Sequence, residues 1–369
     1  MNLAKKHSVH EPLFHITKRT DVNSKKSLLI YSVSVLCALI VCAVFIVLIT
    51  GKSPFEIFTA MYEGSFGGEV TQLFSFHSVA ILLCISLAVT PAFKMRFWNI
   101  GAEGQILVGG MATAYCMLTY GDTLDEFPLI MLMLASAILA GIVWAIIPAI
   151  FKAIWNTNET LFTLMMNYVA IELTLLFLKV MDKSGHSNLG RINERTEYGY
   201  LPKLFGQDYI FNIVIVAALT VIMFIYLKYS KHGYELSVVG ESENTARYIG
   251  INVKKVIIRT IALSGAICGL VGFMIVSGEQ HSFSTELAGG QGFTAILVSW
   301  MAKFNPIVMV LVSGLVVFLR DGGKSATSAF KVDNSFGNIL MAIIILFILI
   351  AEFFINYRIN IRSSKKGEK

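Results

Sequence analysis

The chain is short of charge. Of its 369 residues only 15% are Asp, Glu, Lys or Arg, where soluble domains carry roughly 25%. That scarcity excludes an ordinary soluble fold. Cysteine is also sparse. The five cysteines (Cys37, Cys42, Cys84, Cys116 and Cys268) all lie in apolar segments. None has metal-ligand spacing with a histidine, so they read as small hydrophobes. The seven histidines are scattered, and no GxSxG, HExxH or CxxC pattern occurs. GGKS at Gly322–Ser325 resembles part of a phosphate-binding loop, but that pattern requires glycine at 318, where Phe318 stands. The chain therefore has no expected cofactor or metal and no means of hydrolysing ATP. There is no low-complexity segment and no room for a second soluble domain.

What is present is hydrophobic sequence: 55% of residues, with a mean hydropathy of +0.68. Apolar runs of about 20 residues recur, enough to cross the hydrocarbon core as helices. The runs are continuous rather than alternating, which excludes a β-barrel. The expected fold is an all-α polytopic bundle of ten segments: Leu28–Thr50, Val70–Phe93, Ile100–Tyr120, Pro128–Trp155, Leu161–Met181, Ile210–Tyr229, Ile257–Ser277, Gly290–Ala302, Ile307–Leu319 and Asn338–Asn356. The eighth and ninth are too short to span, and are either one broken crossing or two helices that run past these bounds. The first segment is too long for a cleaved signal and is read as a retained helix.

The domain plan is a cytoplasmic tail over 1–27, a transmembrane domain over 28–356 with a cytoplasmic loop over 229–257, and a cytoplasmic tail over 357–369. With both ends inside, 21 of the 30 Lys and Arg fall on the cytoplasmic side, as the positive-inside bias requires. The net charge of +6 thus has a topological cause, and no nucleic-acid partner is expected. Phe55–Glu69 reads as an amphipathic surface helix. Asp182–Asp208 is the longest outer loop, and GGKS falls on that outer side.

Several stretches carry polar groups or glycines at special places. Asn99, Glu103 and Gln105 stand where the chain enters the membrane from inside, among glycines that break helical regularity. Broken helices with such groups are a pointer to a transport pathway. Asn167 lies inside an apolar helix that opens with Asn158 and Glu159, and is suited to a hydrogen bond with a neighbouring helix or a substrate. Glu172, one turn further along, is isolated in apolar sequence. Lys228–Lys255 contains a short helix that Ser242 or Glu243 can cap, running through Asn244, Ala246, Arg247 and Ile249 until Gly250 stops it, with Gly240 flanking its start. Gly265, Gly269 and Gly272 present a small-residue face for close helix packing. Gly289–Pro306 opens with glycines and reads as a half-length helix with its N-terminus outside. His77 is read as packed rather than functional.

Asn99-Ile-Gly-Ala-Glu-Gly-Gln105, Leu164-Met-Met-Asn-Tyr168, Asn244-Thr-Ala-Arg-Tyr-Ile-Gly250, Leu263-Ser-Gly-Ala266 and Gly290-Gln-Gly-Phe-Thr-Ala-Ile296 with Asn305-Pro306 occur in that order. Together they resemble the permease subunit of bacterial ATP-binding-cassette importers of the ribose, nucleoside and branched-chain amino acid permease superfamily. The resemblance covers residues 28–356. The NIGAEGQ stretch is similar to the simple-sugar and nucleoside branch, and the GGIDLS-type stretch of ribose permeases is missing. Thr245 replaces an alanine common in the family, and Met301-Ala302 a Leu-Gly pair.

The resemblance implies a permease of the bacterial plasma membrane that moves nucleosides or simple sugars inward by alternating access. It implies a cytoplasmic ATPase, a second and paralogous permease, and a substrate-binding lipoprotein as partners, with the lipid bilayer as surroundings. Asn99, Glu103, Gln105 and Asn167 become pathway residues. Gly240, Asn244, Ala246, Arg247 and Gly250 become the coupling element that enters the ATPase. The alternative from the residues alone is an ion-coupled secondary carrier. That would require paired membrane carboxylates and an inverted repeat, where only Glu103, Glu172 and Glu352 stand near membrane depth. A membrane-embedded transferase would need clustered His or Asp, which the sequence lacks.

Overall fold

A computed structural model of the chain describes residues 14–19, 24–181, 188–333 and 335–361. The chain divides into two compact units, Met1–Gly64 with Leu319–Lys369, and Ser65–Phe318.

The first unit holds β1 (Phe14–Lys18), α1 (Ser24–Thr50) and most of α2 (Pro54–Phe66). It also holds the second half of α12 (Pro306–Phe330), all of α13 (Ser335–Asn356) and β2 (Tyr357–Ile361). α1 packs on α13: Phe45 stacks on Phe336 with ring centroids 5.8 Å apart, and the Tyr31 hydroxyl donates to Glu352 at 2.5 Å. That bond gives a partner to Glu352, one of the three carboxylates expected near membrane depth. β1 and β2 pair antiparallel, Phe14 opposite Ile361, so described parts of both expected tails are strand. Residues 24–27 of the expected N-terminal tail already belong to α1, and 1–13, 20–23 and 362–369 lie outside the described residues.

The ninth expected segment ends at Leu319, whereas α12 continues to Phe330. The apolar run stops at Arg320 and Asp321, but the helix does not, and these two side chains pair with each other at 2.9 Å. GGKS is helical, so its amides serve the helix and are not free to cradle a phosphate.

The second unit is built around α3 (Glu69–Lys94), α4 (Ala102–Tyr120) and α10 (Val253–Ile275). α3 is buried almost continuously from Ser75 to Phe93, and α10 from Val271 to Ile275. α5 (Glu126–Trp155), α6 (Glu159–Met181) and α7 (Ile210–Tyr229) surround them. Each of these three buries one stripe and leaves an apolar face outward. Lipid satisfies such a face without a water cost. The short helices α8 (Lys231–Glu241) and α9 (Glu243–Tyr248) connect α7 to α10. α11 (Gln291–Met301) packs on α3, where Ser299 and Thr90 share a hydrogen bond of 2.8 Å.

Each of the ten expected segments contains one helix. Among the described residues eight helices are long and apolar enough to cross a membrane. α4 has the length, at 19 residues, but carries Glu103 and Gln105. α11, with 11 residues, spans about 16 Å, half of a hydrocarbon core.

The small-residue face is a three-helix contact. A Cβ on Gly269 would strike the Ala137 carbonyl, and one on Gly265 the Gly141 carbonyl, both on α5. A Cβ on Gly109 of α4 would come within 2.6 Å of the Gly269 Cα. A Cβ on Gly272 would strike the Ile106 carbonyl of α4. The sequence reading named the α10 half of this contact. Ala137, Gly141 and Ala145 at four-residue spacing are the α5 half.

Candidate functional site

In the second unit α3, α5 and α7 end, and α4, α6 and α10 begin, at one end of the bundle. The Lys94 ammonium donates to the Leu227 carbonyl at 3.2 Å, and Lys152 pairs with Glu159 at 2.9 Å. Lys94, Arg96, Lys152, Lys228, Arg247, Lys254, Lys255, Arg259 and Lys303 gather here. The opposite end carries the loop 188–209.

α4 starts inside the bundle, where water is not at hand for its first amides, so side chains must serve them. Asn99 is fully buried. Its Oδ1 accepts from the Gly101 amide at 3.1 Å and from Gln105 at 3.3 Å. Its Nδ2 donates to Ser264 of α10 at 3.1 Å. Asn167 of α6 is a clamp: Oδ1 accepts from the Gly104 amide and Nδ2 donates to the Ile100 carbonyl, both at 2.9 Å. Thr163, one turn before Asn167, accepts from the Ile100 amide at 3.1 Å. Asn99 and Asn167 therefore spend their polar groups on holding the α4 entry against α6 and α10.

Glu103 differs. Its Oε1 accepts from the Gly292 amide at 2.8 Å, so the carboxylate sits at the positive end of α11. Gly290 precedes that helix with φ +76, and a Cβ on Gly292 would press to 3.0 Å from Glu103. Of the four expected pathway residues only Glu103 retains appreciable accessible surface. The expectation that α11 begins outside is corrected here. Its N-terminus is level with the first turn of α4, and Trp300 near its other end meets Trp98, with ring centroids 5.6 Å apart, at the basic end. The glycine-opened helix is thus the second half of a broken span, preceded by the irregular stretch 281–290.

Removing the Asn167 clamp leaves a donor and an acceptor buried without partners, each costing about 1–3 kcal/mol. Asn167→Ala should lower the unfolding midpoint of the detergent-solubilised chain by several degrees. Tyr168→Ala, at an exposed neighbour, should leave it within error.

At the basic end the capped helix forms as the sequence suggests. The Ser242 hydroxyl accepts from the Thr245 amide at 3.2 Å, and Arg247 pairs with Glu243 at 3.1 Å. Ala246 is buried, while Asn244 and Arg247 are exposed. Gly250 ends the turn at φ +86, which a side chain would strain. A Cβ on Gly240 would strike the Lys94 carbonyl, so this glycine lets α8 pass against the end of α3. Sequence reasoning placed Ile249, 51% exposed, in this helix but missed Tyr248, 92% exposed, beside it on the tip next to Arg247. Two bulky side chains just before a terminating glycine were the available signal.

Sequence reasoning also missed a cavity of about 500 Å³ at the opposite end, bounded by Arg191, Glu197, Tyr200, Asp208, Tyr209 and His281. Its mixed charges and aromatics were in the outer loop and the turn after α10. Residues 182–187 of that loop lie outside the described residues. His77 is buried and bonded to Asn212, as a packed residue should be: the amide nitrogen, a donor, is 3.0 Å from Nε2. Glu172 is exposed on the outward face of α6. Among the described residues no His, Cys, Asp and Glu cluster could hold a metal.

A family model described as the permease component of the branched-chain amino acid transport system matches residues 72–349. The glucose ABC transporter permease of Haloferax volcanii is 30% identical over 78% of this chain and 78% of its own length. The guanosine ABC transporter permease of Bacillus subtilis is 30% identical over 82% of this chain and 88% of its own. The nucleoside ABC transporter permease of Lactococcus lactis subsp. cremoris is 24% identical over 88% and 93%. These relatives are transport subunits. ATP hydrolysis in such systems belongs to a separate ATPase, and a substrate-binding partner is implied, which sets the ion-coupled carrier aside. The chain belongs to this family and is a multi-pass membrane permease subunit of an ATP-binding-cassette transporter.

Proposed function

We propose that the chain is a permease subunit of a nucleoside importer in a bacterial plasma membrane, with the basic end of the second unit in the cytoplasm. Tyr248 and Ile249, exposed at the tip of the capped turn, carry the reading. Large side chains bared to water at a charged end call for a covering protein, and an ATPase cleft is the cover such a permease needs. Asn244, Arg247 and Gly250 shape this tip, Ala246 anchors it, and Gly240 seats α8 on α3. Movement of the tip passes through α8 into α3, and through α10 to the Asn99 tie.

Guanosine and nucleoside permeases among the relatives support the substrate class, and a glucose permease among them keeps simple sugars as the second. Pairs of guanosine permeases in one organism support a paralogous second permease beside this one. A lipoprotein that captures substrate outside completes the set. Asn99, Gln105 and Asn167 support the pathway by fixing the α4 entry, and Glu103 faces it at the junction of α4 and α11. Its carboxylate suits the hydroxyls of a ribosyl group.

The substrate reading is tested by uptake of labelled guanosine in proteoliposomes that contain the whole transporter and its binding protein. Excess adenosine or inosine should compete, and excess glucose should not. Competition by glucose with none by nucleosides would move the assignment to sugars.

A further inference from the structure

A second cavity of about 420 Å³ opens at the basic end, where α3 and α7 finish. Lys94, Lys228, Phe224, Tyr234, Ser237 and Phe304 are among the side chains that line it. No carboxylate does, and among the described residues neither lysine is in an ion pair. Lys94 commits one ammonium proton to the Leu227 carbonyl, which leaves two. The Lys228 ammonium lies 5.3 Å from the centre of the Phe224 ring and 5.4 Å from that of Tyr229. The two rings hold its head by cation–π attraction. Two uncompensated cations in one concavity call for an anion.

The position of the cavity identifies the kind of anion. Both lysines occupy the last turn of a span, the depth at which a bilayer presents its headgroups. Val221, Ile222 and Ile225 are each more than half exposed on α7. With Tyr229 they make an apolar strip at helical spacing that leads to the mouth of the cavity. An amphiphile with a phosphate head and acyl tails matches both features, whereas free phosphate matches only the first. Basic pockets between spans are a known form of anionic-headgroup site. We propose that this cavity holds the phosphate head of an anionic phospholipid, with its acyl chains along α7.

Native mass spectrometry of the full chain, released from micelles with equal phosphatidylglycerol and phosphatidylcholine, tests this. The chain should retain phosphatidylglycerol in preference, by about fivefold per lysine. Lys228→Gln should weaken that preference and Lys228→Arg should keep it. Lys94→Gln with Lys228→Gln should abolish it, and Lys203→Gln in the outer loop should not change it. Should the double variant fail to fold, Lys228→Glu, at an exposed side chain, gives the same reading alone. Equal retention of the two lipids, or a preference unchanged by Lys228→Glu, overturns the proposal. So does displacement of the lipid by excess inorganic phosphate at an ionic strength matched with chloride, because the site would then recognise the phosphate alone.

Discussion

Gly269→Val should abolish the folded protein. A single added Cβ at this position already meets the Ala137 carbonyl of α5, and the Gly109 Cα of α4 lies against the Gly269 backbone from another side. Backbone cannot swing aside as a flexible side chain can, so α10 would have to leave α5 and α4. Those are the contacts on which the second unit is built. Overpacking a well-packed interior costs about 1–3 kcal/mol, and more where only backbone is available to move. Association of helices in lipid depends on this close fit, since lipid tails are as apolar as the side chains. Gly314→Val in α12 is the control, because nothing lies within 4 Å of a Cβ there. Size-exclusion profiles in detergent should show a monodisperse peak for Gly314→Val and aggregate for Gly269→Val. A monodisperse Gly269→Val with the parental unfolding temperature would refute the three-helix contact.

Tyr248→Asp should leave the fold intact and stop transport. The side chain is almost wholly exposed, so the permease loses nothing in folding. At an interface core, removal of a large aromatic anchor costs about 2 kcal/mol or more, roughly 30-fold in affinity. A carboxylate buried there adds a desolvation penalty. Arg247→Glu should act in the same direction and also repel Glu243, its partner within the turn. Binding of the ATPase by each variant, and ATP hydrolysis with and without the permease, separates lost docking from misfolding. Full stimulation of hydrolysis by Tyr248→Asp would remove this tip from the interface.

Much of the fold was legible, because eight of the helices are long apolar runs and the capped turn carries its own start and stop residues. Ser242 and Gly250 act locally, so a local reading found them. The α10 glycines were legible for the same reason. What failed was tertiary. That Asn99 and Asn167 are polar in apolar sequence is written in the chain. That their partners are the Gly101 and Gly104 amides, the Ile100 carbonyl and Ser264 depends on which helices meet at the α4 entry. The depth of α11 also follows from the pairing of Gly292 with Glu103, two residues 189 positions apart. α12 outran its expected end because hydropathy reports the solvent around a helix, while helix formation itself continues through Arg320 and Asp321.

This chain should move its substrate only when a separate ATPase drives it. Uptake of labelled guanosine should be measured in proteoliposomes containing the chain, the second permease and the binding protein, with the ATPase either present or omitted. Accumulation should depend on ATP when the ATPase is present and be absent without it, even under an imposed proton or sodium gradient. Accumulation driven by such a gradient with the ATPase omitted would contradict this requirement.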